Sequence, residues 1–147
     1  MRRVVVILSL SLMLFGGCSE SGTLTVRGQL VNNGRPLSVD NPDEFELKLL
    51  SVDADGPGRN VYAARVERDG TFLFAGPTGR GVPPGAYKVV IETGPVPDGR
   101  GGAGDRFHKA FAEPRTPLRL TVTPGTTELT IDVGAKTVVP AANQPAS

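Results

Sequence analysis

Tryptophan is absent from the 147-residue chain, and cysteine and histidine occur once each, as Cys18 and His108. One cysteine cannot close an intrachain disulfide, so whatever folds is held by its core alone. A single histidine leaves His108 as the only imidazole for a Ser-His-Asp arrangement, and no "G-x-S-x-G" turn accompanies it. Zinc, which prefers His and Cys ligands, has no ligand set to draw on. With only Tyr62 and Tyr87 as tyrosines, both expected to face inward, there is no evident platform on which a sugar would stack. The 16 basic and 15 acidic residues nearly balance. Without a basic footprint, a nucleic-acid partner is not expected.

What the chain has in quantity is glycine and proline, 19 and 13 residues. Set between short apolar alternations, they predict strands joined by tight turns rather than helices. The one exception is at the N-terminus, where Arg2 and Arg3 precede "VVVILSLSLMLF" (Val4 to Phe15), followed by Gly16, Gly17 and Cys18. A positive start, an apolar middle and a small-residue exit are the order of a secretory signal. The run is too short for the roughly 20 residues that cross a hydrocarbon core. A cysteine directly after small residues resembles the bacterial lipobox, although Phe15 stands three residues before Cys18, where that motif usually has Leu, and Leu14 lies one place further out. The resemblance implies cleavage after Gly17, a diacylglyceryl thioether on Cys18 and an acylated (palmitate-type) amine. The competing reading is an ordinary signal cut nearby that leaves Cys18 as a free thiol. Residues 1–17 are thus expected to be a lipoprotein signal peptide and 18–22 a tether. Removing Met1 to Gly17 takes away Arg2 and Arg3 and no acid, leaving 14 basic residues of the 16 against 15 acidic.

Seven strands are predicted by period-two alternation. Their inner faces are Leu24, Val26, Gly28 and Leu30; Phe45, Leu47 and Leu49; Tyr62, Ala64 and Val66; Phe72 and Phe74; Tyr87, Val89 and Ile91; Leu118, Leu120 and Val122; and Leu129, Ile131 and Val133. "NNGRP" reads as a turn, as does Pro124-Gly125, and Asp69-Gly70 as a hairpin in which both residues take left-handed angles. About seven short strands without a long helix predict an all-β, two-sheet sandwich over residues 23–134. A long glycine-rich connection follows Thr93, with a mobile half from Gly94 to Arg106 and a half in which Phe107 and Phe111 cover the sandwich edge. Residues 135–147 carry no pattern worth burying and are expected to be a flexible tail.

Taken in order, "VRGQLVNNGRPL", "VERDGTFLF", "VPPGAYKVVIE" and "TPLRLTVTPGTTELTIDVG" resemble the bacterial carboxypeptidase regulatory-like domains. That resemblance, covering nearly all of Thr23 to Gly134, implies a prealbumin-like (Ig-like) β-sandwich, and small lipoproteins built of this domain alone look most similar. Its motif residues have structural work: Gly34, Gly70 and Gly85 in turns, Phe72 and Tyr87 in the core, and Pro83-Pro84 stiffening the approach to a strand. The prealbumin fold also includes hydrolases of 5-hydroxyisourate, which use several histidines and a characteristic C-terminal tetrapeptide, whereas this chain has His108 alone and ends "QPAS".

Other chemistry is fragmentary. Asp53 and Asp55 in "DADGPG" supply part of a calcium loop, but Pro57, Gly58 and Arg59 follow where further oxygen ligands are needed. "GPTGRG" from Gly76 and "GRGGAG" from Gly99 lack the Lys-Ser/Thr ending of a phosphate loop and read as flexible connections. Neither catalytic residues nor a cofactor or metal are therefore expected. The function expected is that of a lipid-anchored envelope domain, on the outer membrane by preference given Ser19, with a structural, accessory or protein-interaction role through the loops Asp53–Arg59 and Gly94–Arg106. The alternative is a small-ligand or glycan binder.

Overall fold

In the computed structural model, which describes residues 22–53, 59–76, 79–93, 110–113 and 115–141, all seven expected strands are present, and their inner sets are buried apart from Leu24 and Gly28, which are partly so. The strands are β1 (Val26–Asn32), β2 (Arg35–Pro36), β3 (Phe45–Ser51), β4 (Val61–Val66), β5 (Thr71–Phe74), β6 (Gly85–Thr93), β7 (Arg119–Val122), β8 (Glu128–Asp132) and β9 (Thr137–Pro140). They form one hydrogen-bonded sheet in the order β7-β6-β3-β4-β5-β1-β8-β9, with β2 attached to β1. The sheet folds over on itself in a sandwich-like manner. Its two layers, β7-β6-β3-β4 and β5-β1-β8-β9, send their inner faces into one core that includes Leu47, Tyr62, Val89 and Ile91 from the first and Val26, Leu30, Phe74 and Ile131 from the second. The expected pair of sheets is continuous, because β4 and β5 remain paired at Arg65↔Leu73 and Val66↔Phe72. Neighbouring strands are antiparallel except β1 and β8, which run parallel from Arg27↔Glu128 to Val31↔Asp132.

The interior is closed by aromatic contacts and one plug. Tyr62 meets Tyr87 edge-on at 5.8 Å between ring centroids, and Phe72 meets Phe74 at 5.5 Å. The Tyr87 hydroxyl donates to the Pro83 carbonyl at 2.8 Å, and burial pushes its pKa up to about 12. Phe111, expected to cover the sandwich edge, is buried within the core, while Phe107 lies outside the described residues. Among the described residues no helix is long and apolar enough to cross a membrane.

Several local expectations are corrected. The expected flexible tail begins with a strand, since β9 pairs with β8 from Asp132↔Thr137 to Leu129↔Pro140 and Val138 packs on the core. The turn before it holds Lys136 at φ 57°, a left-handed angle with no glycine to announce it. In the β4–β5 hairpin only Gly70 is left-handed, at φ 81°, and Asp69 is not. Gly70 N–H donates to Glu67 C=O at 2.9 Å and Glu67 N–H to Thr71 C=O at 2.8 Å, a type I turn followed by a one-residue glycine bulge. Asp69 contributes through its side chain instead, accepting the Thr71 N–H and hydroxyl at 3.0 and 2.7 Å. Gly85 has an ordinary φ and a Cβ there would stand 3.6 Å from the Tyr87 ring, so no turn geometry demands it. "GPTGRG" is not merely a flexible link: Gly76, Gly79 and Gly81 all take left-handed angles, and Gly81 N–H donates to Ala75 C=O at 2.7 Å.

Candidate functional site: a cleft on the outer face

Strand register brings together outward-facing side chains that are far apart in sequence. Across the layers, Glu92, Glu46, Arg65, Leu73, Arg27 and Glu128 fall in one transverse row on β6, β3, β4, β5, β1 and β8. With strands about 4.8 Å apart, Arg65 and Arg27 are separated by roughly 10 Å of sheet. Between them stands Leu73, 48% exposed, the most exposed large apolar side chain of the described residues. This part of the row forms the floor of an open cleft of about 900 Å³, lined also by Gln29, Glu67, Thr71 and Thr130.

Gly28 sits in that floor because β1 passes too close to its neighbours for a side chain. A Cβ would overlap the Leu129 carbonyl oxygen and lie 2.7 Å from the Phe72 ring. The walls are held by two hydrogen bonds: the Gln29 amide donates to the Asp69 carbonyl of the hairpin at 2.6 Å, and Arg65 donates to the Asp43 carboxylate of the short turn before β3 at 2.7 Å. A smaller recess of about 570 Å³ adjoins it, sharing Arg65, Glu67 and Thr71 and adding Asn41, Asp43, Arg68 and Asp69. Hydrogen bonds from the Thr71 hydroxyl and then the Thr71 N–H hold the Asp69 carboxyl below its usual range.

Arg27 makes no ion pair among the described residues, although Glu128 is its direct neighbour on β8. The cleft thus offers guanidinium, carboxylate, amide and hydroxyl groups around one exposed apolar side chain, suited to binding by hydrogen bonds and charge.

Two charged clusters lie outside the cleft. On the first layer, Lys48 bridges Glu92 at 2.6 Å and Glu46 at 2.9 Å. Burial works against its charge, but the two carboxylates outweigh burial and hold its pKa above the usual value. On the second layer, Asp132 accepts four backbone N–H groups: Asn33, Gly134 and Ala135 on Oδ1 at 2.9, 2.9 and 3.0 Å, and Gly34 on Oδ2 at 2.9 Å. Burial would raise its pKa, and the amides outweigh this and hold it below the usual carboxylate value. With its oxygens so engaged, Asp132 ties the β1–β2 turn to the β8–β9 turn.

The residues singled out from sequence are dispersed. Cys18, His108, Asp55 and the stretch Gly94 to Arg106, with its Gly99 motif, lie outside the described residues. Asp53 is exposed beyond the end of β3, and Arg59 pairs with Glu113. Among the described residues no group of three or more His, Cys, Asp or Glu could hold a metal ion. Arg27, Arg65 and Leu73 were not legible as a site, because each occupies an ordinary outward position of its own strand. No protein-family model matches the chain, and no curated protein and no solved structure matches it either.

Proposed function

We propose that the protein is a lipid-anchored, non-catalytic β-sandwich domain of the cell envelope that works as an accessory or interaction module. The observation that carries the reading is the single cysteine in "LFGGCSE". It stands only a few residues before an all-β domain whose first backbone contact among the described residues is the Leu24–Val82 bridge, with no second cysteine to pair it. The motif order shared with carboxypeptidase regulatory-like domains supports the accessory role, since that likeness rests on turn and core residues rather than on reactive groups. Intact-mass measurement of the protein extracted from its membrane tests the anchor. The expected product begins at Cys18 and carries diacylglyceryl and acyl mass, and a free thiol would overturn it.

A second reading, a small-ligand or glycan binder, is favoured by the cleft between Arg27 and Arg65. Recovery of a defined protein from envelope pull-downs supports the first reading. Recovery of saccharide alone, lost in Arg27→Ala/Arg65→Ala, supports the second.

A further inference from the structure

Strand direction gives the sandwich two distinct ends. At one end β1 and β8 begin and β5 stops, with Val26 opposite Phe74 and Arg27 opposite Glu128. The same end receives the stop of β3, the start of β4 and the start of β6, through Leu50↔Val61, Ser51↔Tyr87 and Gly85↔Val122. The other end carries the Asn33-Gly34 turn, the Glu67–Gly70 hairpin, the short 3-10 turn Pro42–Glu44 and the turn after Asp132.

The ends differ in charge and in apolar exposure. Connections at the second end (residues 32–44, 67–70, 92–93 and 132–137) hold seven acids, among them Asp40, Asp43 and Asp69, against three bases, Arg35, Arg68 and Lys136. The described connections at the first end hold Asp53, Arg59 and Arg80, and Glu113 of the β6–β7 connection pairs with Arg59 there, two acids against two bases. Among the described residues, two of the three exposed large apolar side chains, Val52 at 39% and Val61 at 43%, also stand at the first end.

We infer that the first end rests on the lipid surface, with Val52 and Val61 against the headgroups, and that the acidic end faces away from the membrane. This rests on the lipid-anchored reading above. Six backbone steps lead from Cys18 to Leu24, a reach of no more than about 22 Å. The nine-residue β6 makes the domain roughly 30 Å long. The tether is therefore too short for the domain to stand inverted on its acidic end. Lying sideways would bring that end's carboxylates toward anionic lipid, which repels them, whereas the first end presents apolar side chains and balanced charge. The orientation places Asp53 and Arg59 beside the lipid and leaves the far end, where β6 stops at Thr93, open to other envelope components.

The lipidated full-length protein provides its own test, because Cys18 is consumed by the thioether and an introduced cysteine is the only free thiol. Val61→Cys and, separately, Ser38→Cys at the acidic end are labelled with a fluorophore. The labelled proteins are bound to phosphatidylglycerol–phosphatidylethanolamine vesicles that carry a headgroup spin-label quencher. Quenching at position 61 is expected to exceed that at position 38 severalfold, with Val52→Cys matching position 61. Equal quenching at both ends, in protein that floats with the vesicles, overturns the orientation. Protein that fails to float, or keeps a free thiol at Cys18, overturns the anchor itself.

Discussion

The layer built on β3 and β6 buries side chains on both of its faces, whereas the layer built on β5, β1 and β8 buries one and leaves much of the other open. Leu50 and Val90 belong to the outward set with Glu46, Lys48 and Glu92, and yet are only 5% and 1% exposed. The equivalent outward positions of the second layer are Arg27, Leu73 and Glu128, all exposed. A strand covered on both sides needs an apolar residue at consecutive positions, and a strand covered on one side needs strict alternation. The pairs Leu49-Leu50 and Val89-Val90 meet the first requirement, and "VRGQL" meets the second. Binding groups can be displayed on an outer face only where nothing else covers it, so the cleft lies mainly on the second layer and reaches only to Arg65 and Glu67 at the β4 edge of the first.

The largest expected effect breaks this contrast directly. Val90→Asp buries a carboxylate whose cross-strand neighbour, Lys48, already serves Glu46 and Glu92, and a loss of about 4 kcal/mol or more is expected, enough to unfold a domain of this size. Leu73→Asp makes the same chemical change on the open layer, and its denaturation midpoint is expected to stay within about 0.5 kcal/mol of the parent. Comparable losses in urea melts would mean that the second layer is covered as well, and that the cleft is not available.

An intermediate effect is expected at Asp132, where the open layer is drawn together by a side chain instead of by burial. Asp132→Ala removes a carboxylate shared by four amides, and a loss of about 2 kcal/mol is expected from hydrogen bonds to a charged acceptor. Since the folded pKa lies below the usual 3.8, this contribution is complete above that value and is lost as pH falls through the folded pKa. Thermal melts from neutral pH down to about pH 2 should therefore show a steeper acid decline in the parent than in Asp132→Ala. Parallel curves would mean that the carboxylate contributes nothing beyond its neutral form.

Much of the architecture was legible because it rests on period two. Each inner set from Val26 to Val133 could be read without knowing its partner. The pairing of β1 with β8 could not, because a parallel contact between residues a hundred positions apart leaves no local mark. Strand β9 was missed for a different reason. "TVVP" has only two residues to bury, and its place depends on Asp132 holding the preceding turn and on Lys136 taking a left-handed angle that its side chain does not advertise. The cleft was illegible for the same reason as the parallel pair: Arg65, Leu73 and Arg27 become neighbours only through two strand registers.

A smaller effect is expected on the covered layer at Lys48. Glu46 and Glu92 are direct cross-strand neighbours, a repulsive pairing that the ammonium between them offsets. Lys48→Met keeps the stem and removes the charge, at an expected cost of about 1 kcal/mol or less, since the group is partly solvated. The parent pKa is raised above 10.5, so the ammonium's contribution is present below that value and lost as pH rises through the folded pKa. The variant's deficit should accordingly shrink at alkaline pH, as the parent loses the ammonium's charge, and in high salt, where the charges are screened. A deficit independent of both pH and salt would assign the loss to packing over Leu50 and Val90 rather than to charge.

The smallest expected change has the opposite sign. Gly85→Ala adds a Cβ at ordinary contact distance from Tyr87 in a backbone that any residue adopts. It should stabilise by about 0.4–1 kcal/mol through the unfolded chain. The same exchange at Gly28, where β1 presses on Leu129 and Phe72 under the cleft, should destabilise. A matched pair of melts then separates a glycine kept for no geometric reason from one that the approach of two strands requires, and equal signs would show that the floor of the cleft can move.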